Sequence, residues 1–238
     1  MSRSRAARTI FAAVAAAAAS AGLVTTGPPV SAAPVGPPAH RGKVAGTFIE
    51  VHGDAKPSDQ TLYYLKLSGR YYRLKLKREP RIRSQASVSV SGSISGNTVD
   101  ATAGSITATS APQPVAATGA KDLLVINIAW PSAGLTATVA QEQNFLFGTD
   151  WRSVASYYSA ASYGQMTWTG TETPTYQVTD PRACDLEGLA AAAETAATSG
   201  GFSPAAYDAL IVNAPDLYCG AGGYGEIGGR HTWVQNGL

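Results

Sequence analysis

Histidine is nearly missing from this sequence: there are three, His40, His52 and His231. None has another histidine three or four positions away, so no helical pair is available to a metal ion. Cysteine is scarcer still, with only Cys184 and Cys219. Two cysteines that far apart plus one histidine match no recognised ligand spacing. Charged residues amount to 14%. So low a charge, with abundant Gly, Ala, Ser and Thr, suits a secreted β-rich protein better than a nucleic-acid binder. No serine sits in a GxSxG elbow. The Gly220–Gly225 stretch, GAGGYG, superficially looks like a phosphate loop. It follows a cysteine rather than a strand and leads into no helix pattern, which argues against a nucleotide site.

The N-terminus carries a positive signal. MSRSRAARTIFAAVAAAAASAGLVTTGPPVSAAP opens with Arg3, Arg5 and Arg8, continues as an Ala-rich apolar stretch from Thr9 to Val24, and ends in small residues. Val30 and Ala32 occupy the selective positions for a cut between Ala32 and Ala33, as in a secretory signal peptide. A membrane anchor is the competing reading. The run is short and built on weakly hydrophobic alanine, and Gly27-Pro28-Pro29 follows it, so cleavage fits better. The start region contains no Arg-Arg pair, which points to the general export route. No later segment reads as a membrane span. An oxidising destination favours a Cys184–Cys219 disulfide, and closing a loop of that length is worth roughly 3–4 kcal/mol.

Charge is divided along the chain. Residues 33–118 carry a net +6 and residues 119–238 a net −7. The two halves either attract each other across an intramolecular contact or present unrelated solvated faces. Residues 33–42 read as a Pro/Gly/Ala linker. Residues 43–107 read as a small β-rich domain, barrel- or sandwich-like. Gly46–Val51 is a strand. LYYLKLSGRYYRLKLK is a hairpin around Ser68-Gly69, with Leu65, Leu67, Tyr72, Leu74 and Leu76 on one face and Arg73, Lys75 and Lys77 on the other. A second hairpin turns at Gly96-Asn97, with Val88, Val90 and Ile94 alternating. The basic face is either a polyanion surface or a solvated, aggregation-resistant edge; export favours the edge.

Residues 108–120 form a second linker, and residues 121–238 a layered α/β domain. Leu123 to Ile128 is aliphatic except for Asn127, as expected of a strand buried on both faces. Helices are expected over Thr138–Phe147, from an Asp150 cap to a stop at Gly164, and from Asp180-Pro181 to Gly200-Gly201. Their apolar stripes are Val154, Tyr157, Tyr158 and Ala161, then Leu186, Leu189, Ala190 and Ala193. Met166 and Trp168 share one side of a strand, Ala209–Val212 forms another, and GEIGGRHTW closes as a short strand pair. The fold class is α+β. Glu226 and Asp208 could act as an acid/base pair, but nothing local positions them, and exposed carboxylates are the default. Tyr157, Tyr158, Tyr163 and Trp168 can line a sugar-binding surface, but their spacing also matches helix-on-strand packing.

Two segments resemble a known family. NFLFGTDWRSVASYYSAASYGQMTWTGTE has a helix ending in Ser162-Tyr163-Gly164 and leading into a strand of small and aromatic residues. YDALIVNAPDLYCGAGGYGEIGGRHTWVQNGL has an apolar strand, a Gly-rich edge, then Gly228-Gly229, Trp233 and Asn236-Gly237. These resemble the early catalytic region of secreted zinc metallopeptidases of the gametolysin family, in the metzincin group. The basic β-rich region resembles the propeptide of such zymogens, and the likeness spans about residues 42–238. It implies a metzincin-like α/β catalytic domain, a protein or peptide substrate, and zinc as cofactor. In that family a helix with H-E-x-x-H comes next, its two imidazoles binding Zn²⁺ and its Glu polarising the attacking water. The motif does not occur in residues 1–238. No catalytic or metal-binding residue carries over, and the resemblance implies an inactive chain as it stands. An exported binding module using the basic β domain is the alternative; an extracellular glycan-active enzyme is a third reading.

Overall fold

The computed structural model describes residues 40–54, 58–112 and 118–236. Ala32, Ala33 and most of the 33–42 linker lie outside the described residues. Five strands come first: β1 (His40–Gly53), β2 (Gln60–Leu67), β3 (Arg70–Lys75), β4 (Ser87–Ser95) and β5 (Thr98–Ser110). They close into a barrel in the order β1-β2-β3-β5-β4-β1. The β2–β3 turn is the pair Ser68-Gly69, both at positive φ (48° and 81°), as a type I′ hairpin turn requires. Leu65 and Leu74 point into the barrel with Phe48, Val88, Val90 and Val99, and Leu67, Tyr72 and Leu76 pack against them. Lys75 and Lys77 are exposed and Arg73 is half-covered. The predicted apolar face is the inside of a closed barrel.

The second set comprises β6 (Gly119–Ala129), β7 (Met166–Glu172), β8 (Tyr176–Gln177), β9 (Ala209–Ala214), β10 (Gly223–Glu226) and β11 (His231–Gln235). Their order is β7-β6-β9-β11-β10, with β8 beside the end of β6. All pairings from β7 to β11 are parallel, and β10 runs antiparallel. β10 also pairs with β1 through Val51–Gly53, so barrel and sheet share hydrogen bonds within one compact unit, Gly36–Leu238. The fold is thus α+β and β-rich, with a barrel rather than a sandwich at its start.

Three helices complete the described part: α1 (Val139–Phe147), α2 (Val154–Ala161) and α3 (Leu186–Ser199). α3 covers one face of the sheet with the expected stripe, Leu186, Leu189, Ala190 and Ala193, extended by Ala197. Each large side chain buried there is worth roughly 1.5–3 kcal/mol. The same core takes in Ile49, Val51, Leu62 and Tyr64 from the barrel wall and Trp233 from β11. α1 covers the opposite face through Leu146, over Leu123, Val125 and Ile211.

Two helix starts differ from expectation. Ser153 caps α2 by accepting from the Ser156 N–H, while Asp150 turns to its neighbour Arg152. Asp185, not Asp180, caps α3, because the Cys184–Cys219 disulfide ties the preceding residues to the β9–β10 connection. Asp180 instead accepts from the Arg182 N–H in a local turn. The two-residue strand β8 has too little periodicity to show in the sequence. Tyr163 and Gly164 both take positive φ after α2, so the expected stop is in place.

The join between barrel and sheet depends on a glycine. Gly53 lies directly opposite Tyr224, and a Cβ on it would overlap the Tyr224 ring. That ring cannot retreat. It is buried, and its hydroxyl donates to the Cys219 carbonyl at 2.6 Å and lies 2.9 Å from Gln60 Oε1. Gly53→Ala is expected to cost about 1–3 kcal/mol by overpacking, read as a shift of the urea midpoint. An unchanged midpoint would show that Tyr224 is not held in place.

Candidate functional site

The two faces of the parallel sheet are finished differently. On the α1 side, odd-numbered residues of β6 and β9 form an apolar surface: Leu123, Val125, Ala209 and Ile211. Only part of it is roofed. α1 begins at a capping box in which Thr138 and Gln141 satisfy each other, and it seats Leu146. α2 is eight residues long and none of them is buried. Beside these helices lies an open cavity of about 650 Å³. Leu123, Ile211, Thr232 and Val234 make its floor, and Tyr157 and Tyr158 flank it.

The aromatic run predicted to pack α2 onto the next strand does so only in part. Tyr158 meets Trp168 at 5.8 Å between ring centroids and Tyr157 edge-on at 5.5 Å. Tyr157 and Tyr158 keep much of their surface exposed, at 63% and 42%, and Tyr163 is 92% exposed. Trp151, which the sequence did not single out, is 81% exposed on the cavity rim. The helical spacing was legible; the partner for that helix face is this cavity rather than a filled core.

The C-terminal end of the same sheet face is polar. Asn127 and Asn213 are adjacent in register on β6 and β9 and fully buried. Asn213 Nδ2 donates to Asn127 Oδ1 at 3.0 Å and to Glu142 Oε1, from α1, at 2.7 Å. The Asn127 backbone N–H donates to Thr173 Oγ1, and its side chain donates to the Thr173 carbonyl. Glu172, the last residue of β7, is buried here with neither carboxylate oxygen hydrogen bonded. Burial pushes the Glu142 carboxyl up, against the bonds from Asn213 and Asn127. Burial, then the Glu142 charge, pushes Glu172 up to about 7. Sequence reasoning missed this group. Its signal was the polar interruption of two aliphatic strands, at Asn127 and again at Asn213.

The opposite face holds the charges. Buried His231 is gripped on both nitrogens: Nδ1 lies 3.2 Å from Glu226 on β10, and Nε2 lies 2.9 Å from Glu194 on α3. Burial opposes a charged imidazole, yet the bonds to Glu194 and Glu226 hold its pKa at about 9. Glu194 is lowered by its bond to His231. Glu226, despite burial, is lowered by His231 and by the backbone N–H groups of His231 and Arg230. Glu187 on α3 is pushed up to about 8, by burial and then by Glu226. Burial, then Glu226 and Glu187, also raises the Tyr71 phenol, which accepts from Lys66 Nζ at 3.0 Å. A doubly protonated imidazole has no lone pair to offer, so His231 acts neither as a base nor as a metal ligand in this state.

The proposed Glu226–Asp208 pair does not assemble. Asp208 instead accepts from the Asp122 N–H and pairs with Lys121 at 3.7 Å. His52 pairs with Glu50 on the barrel. The cysteines are joined to each other, with Cα atoms 4.6 Å apart. The Gly220–Gly225 run leads into β10. Among the described residues no three His, Cys, Asp or Glu side chains are grouped to hold a metal, and no helix is long and apolar enough to cross a membrane. No family model matches the chain, and no curated protein matches it.

The His231 clamp has a pH signature. The folded pKa lies above the unfolded value of about 6.5, so its contribution is complete below that value and is lost as pH rises through about 9. Glu187 works in the same sense: its raised pKa means that stability falls as pH climbs from the ordinary Glu range towards about 8. The lowered Glu194 and Glu226 lose their contribution only in acid. The His231 ring resonances, assigned by difference from His231→Gln, are expected to titrate near 9 in NMR. A midpoint near the ordinary histidine value would refute the clamp.

Proposed function

We propose that this chain carries the signal peptide, pro-domain and N-terminal part of the catalytic domain of an exported zinc metalloendopeptidase of gametolysin type. The observation that carries the reading is the open apolar cavity on the α1 side of the sheet. β11, the parallel strand next to β9, contributes Thr232 and Val234 to its floor. A helix following β11 could lie there, beside α1 and α2, and cover Ile211 and Val234. In the resembled family that helix bears the zinc motif. The barrel then corresponds to the propeptide, hydrogen bonded to the sheet edge through β1 and β10.

The residues described here do not fit a catalytic zinc. His231 is bound on both nitrogens by carboxylates, and Cys184 and Cys219 are in a disulfide. No catalytic step is therefore assigned to them, and zinc ligation is left to the downstream helix. Export is supported by the N-terminal signal and by a disulfide compatible with an oxidising compartment.

The reading makes a two-part prediction. The 238-residue chain should show no casein cleavage. A product extended through the following codons should contain H-E-x-x-H within a few tens of residues and cleave casein in a 1,10-phenanthroline-sensitive way. Absence of the motif from every downstream frame would remove the reading. Salt-sensitive retention of the chain on heparin would then favour a binding module built on the basic barrel.

A further inference from the structure

We propose that Glu142 and Glu172 form a binding site for a hard divalent cation, of the calcium class, under α1 at the C-terminal end of the parallel strands. The proposal is independent of the peptidase reading and concerns a different part of the sheet face.

Three carboxylate oxygens carry it. Glu142 Oε2 and both oxygens of Glu172 are buried without a hydrogen-bond partner, and Glu172 is only 7% exposed. Ordinary buried carboxylates are paired or hydrogen bonded. One shared proton would pair at most two of these three oxygens and leave the third bare. A cation resolves it, since it bonds to oxygens that have no donor facing them.

The surroundings are organised around those oxygens. Glu142 Oε1 is occupied by Asn213 Nδ2, which leaves Oε2 as the free donor atom. Asn127 lies between the two strands that matter: it neighbours Asn213 on β9, and Val125, two residues before it, is in register with Glu172 on β7. Thr173 bonds to both the backbone and the side chain of Asn127, which fixes the chain just after Glu172. The first-contact groups are thus carboxylates, and the groups behind them are carboxamides and a hydroxyl that orient them, an arrangement typical of ligand support. All the donors are hard oxygens, which select Ca²⁺ or Mg²⁺ over zinc. The two carboxylates come from different elements and make an irregular set. Ca²⁺ tolerates such an irregular set, whereas Mg²⁺ demands near-octahedral geometry. The C-terminal end of parallel strands is also where open α/β sheets place their ligands.

The test uses the purified chain after EDTA treatment and dialysis. Thermal unfolding is followed with Ca²⁺, Mg²⁺ or Zn²⁺ added, and Ca²⁺ binding is measured by calorimetry. The expected result is one calcium site, a melting temperature that rises with calcium concentration, a weaker response to Mg²⁺, and loss of both effects in Glu172→Gln. Tb³⁺ luminescence excited through tryptophan, with Trp168 on the same strand, gives a second readout in wild type should the variant fold poorly. No binding and no thermal shift would overturn the proposal. So would a response that persists undiminished in folded Glu172→Gln, or terbium emission that calcium does not displace.

Discussion

The hydrogen bonds of β1 hold the structure together. Its first half pairs with β4 and its second half with β2, which closes the barrel. Its last three residues pair with β10, the antiparallel edge of the α/β sheet. Without that contact two sheets would each expose an unpaired edge, a template for aggregation. With it, the barrel wall and α3 bury a single core that includes Ile49, Val51, Leu189 and Trp233. Gly53, Tyr224 and the disulfide at Cys219 all sit at this seam. The seam is therefore sealed by backbone bonds and apolar packing, and the ion pair network at His231 lies just beside it.

The two faces of the sheet have opposite characters. The α3 face is covered, and its charges are paired at their centre: each His231 nitrogen has a carboxylate, and Glu226 also accepts two backbone N–H groups, while Glu187 and Glu226 Oε1 have no hydrogen-bond partner. Such a cluster is costly to leave half-paired, so it fixes how α3, β10 and β11 sit together. The α1 face is open and unfinished. Its apolar floor faces a cavity, and its polar end holds carboxylate oxygens that no described residue satisfies.

Much of the local structure was legible. Alternation over Leu65–Leu67 and Tyr72–Leu76 marked a hairpin with one buried face, and Ser68-Gly69 marked its turn. The α3 stripe, its Gly200-Gly201 end, and the aliphatic strands at Leu123 and Ala209 all follow from periodicity. Helix starts were less legible. Ser153 and Asp185 displaced Asp150 and Asp180 because a cap is chosen by the local turn, and several residues with suitable side chains lay within reach. The tyrosines of α2 had helical spacing, but spacing cannot tell a filled core from an open cavity.

The candidate site was hidden for a different reason. Glu142, Glu172, Asn127 and Asn213 come from four elements spread over more than seventy residues, and no motif links them. Likewise Glu226 was noticed but matched with Asp208, when its partner is His231. By itself the sequence determined the disulfide partners, the basic and acidic halves and most strands and helices, because each depends on composition or on a small number of residues along the chain. Only the tertiary structure decided that the strands close into a barrel, that β1 joins it to the sheet, and which carboxylates are satisfied. Those outcomes depend on pairings between distant strands and on burial, and neither is written in any local stretch of residues.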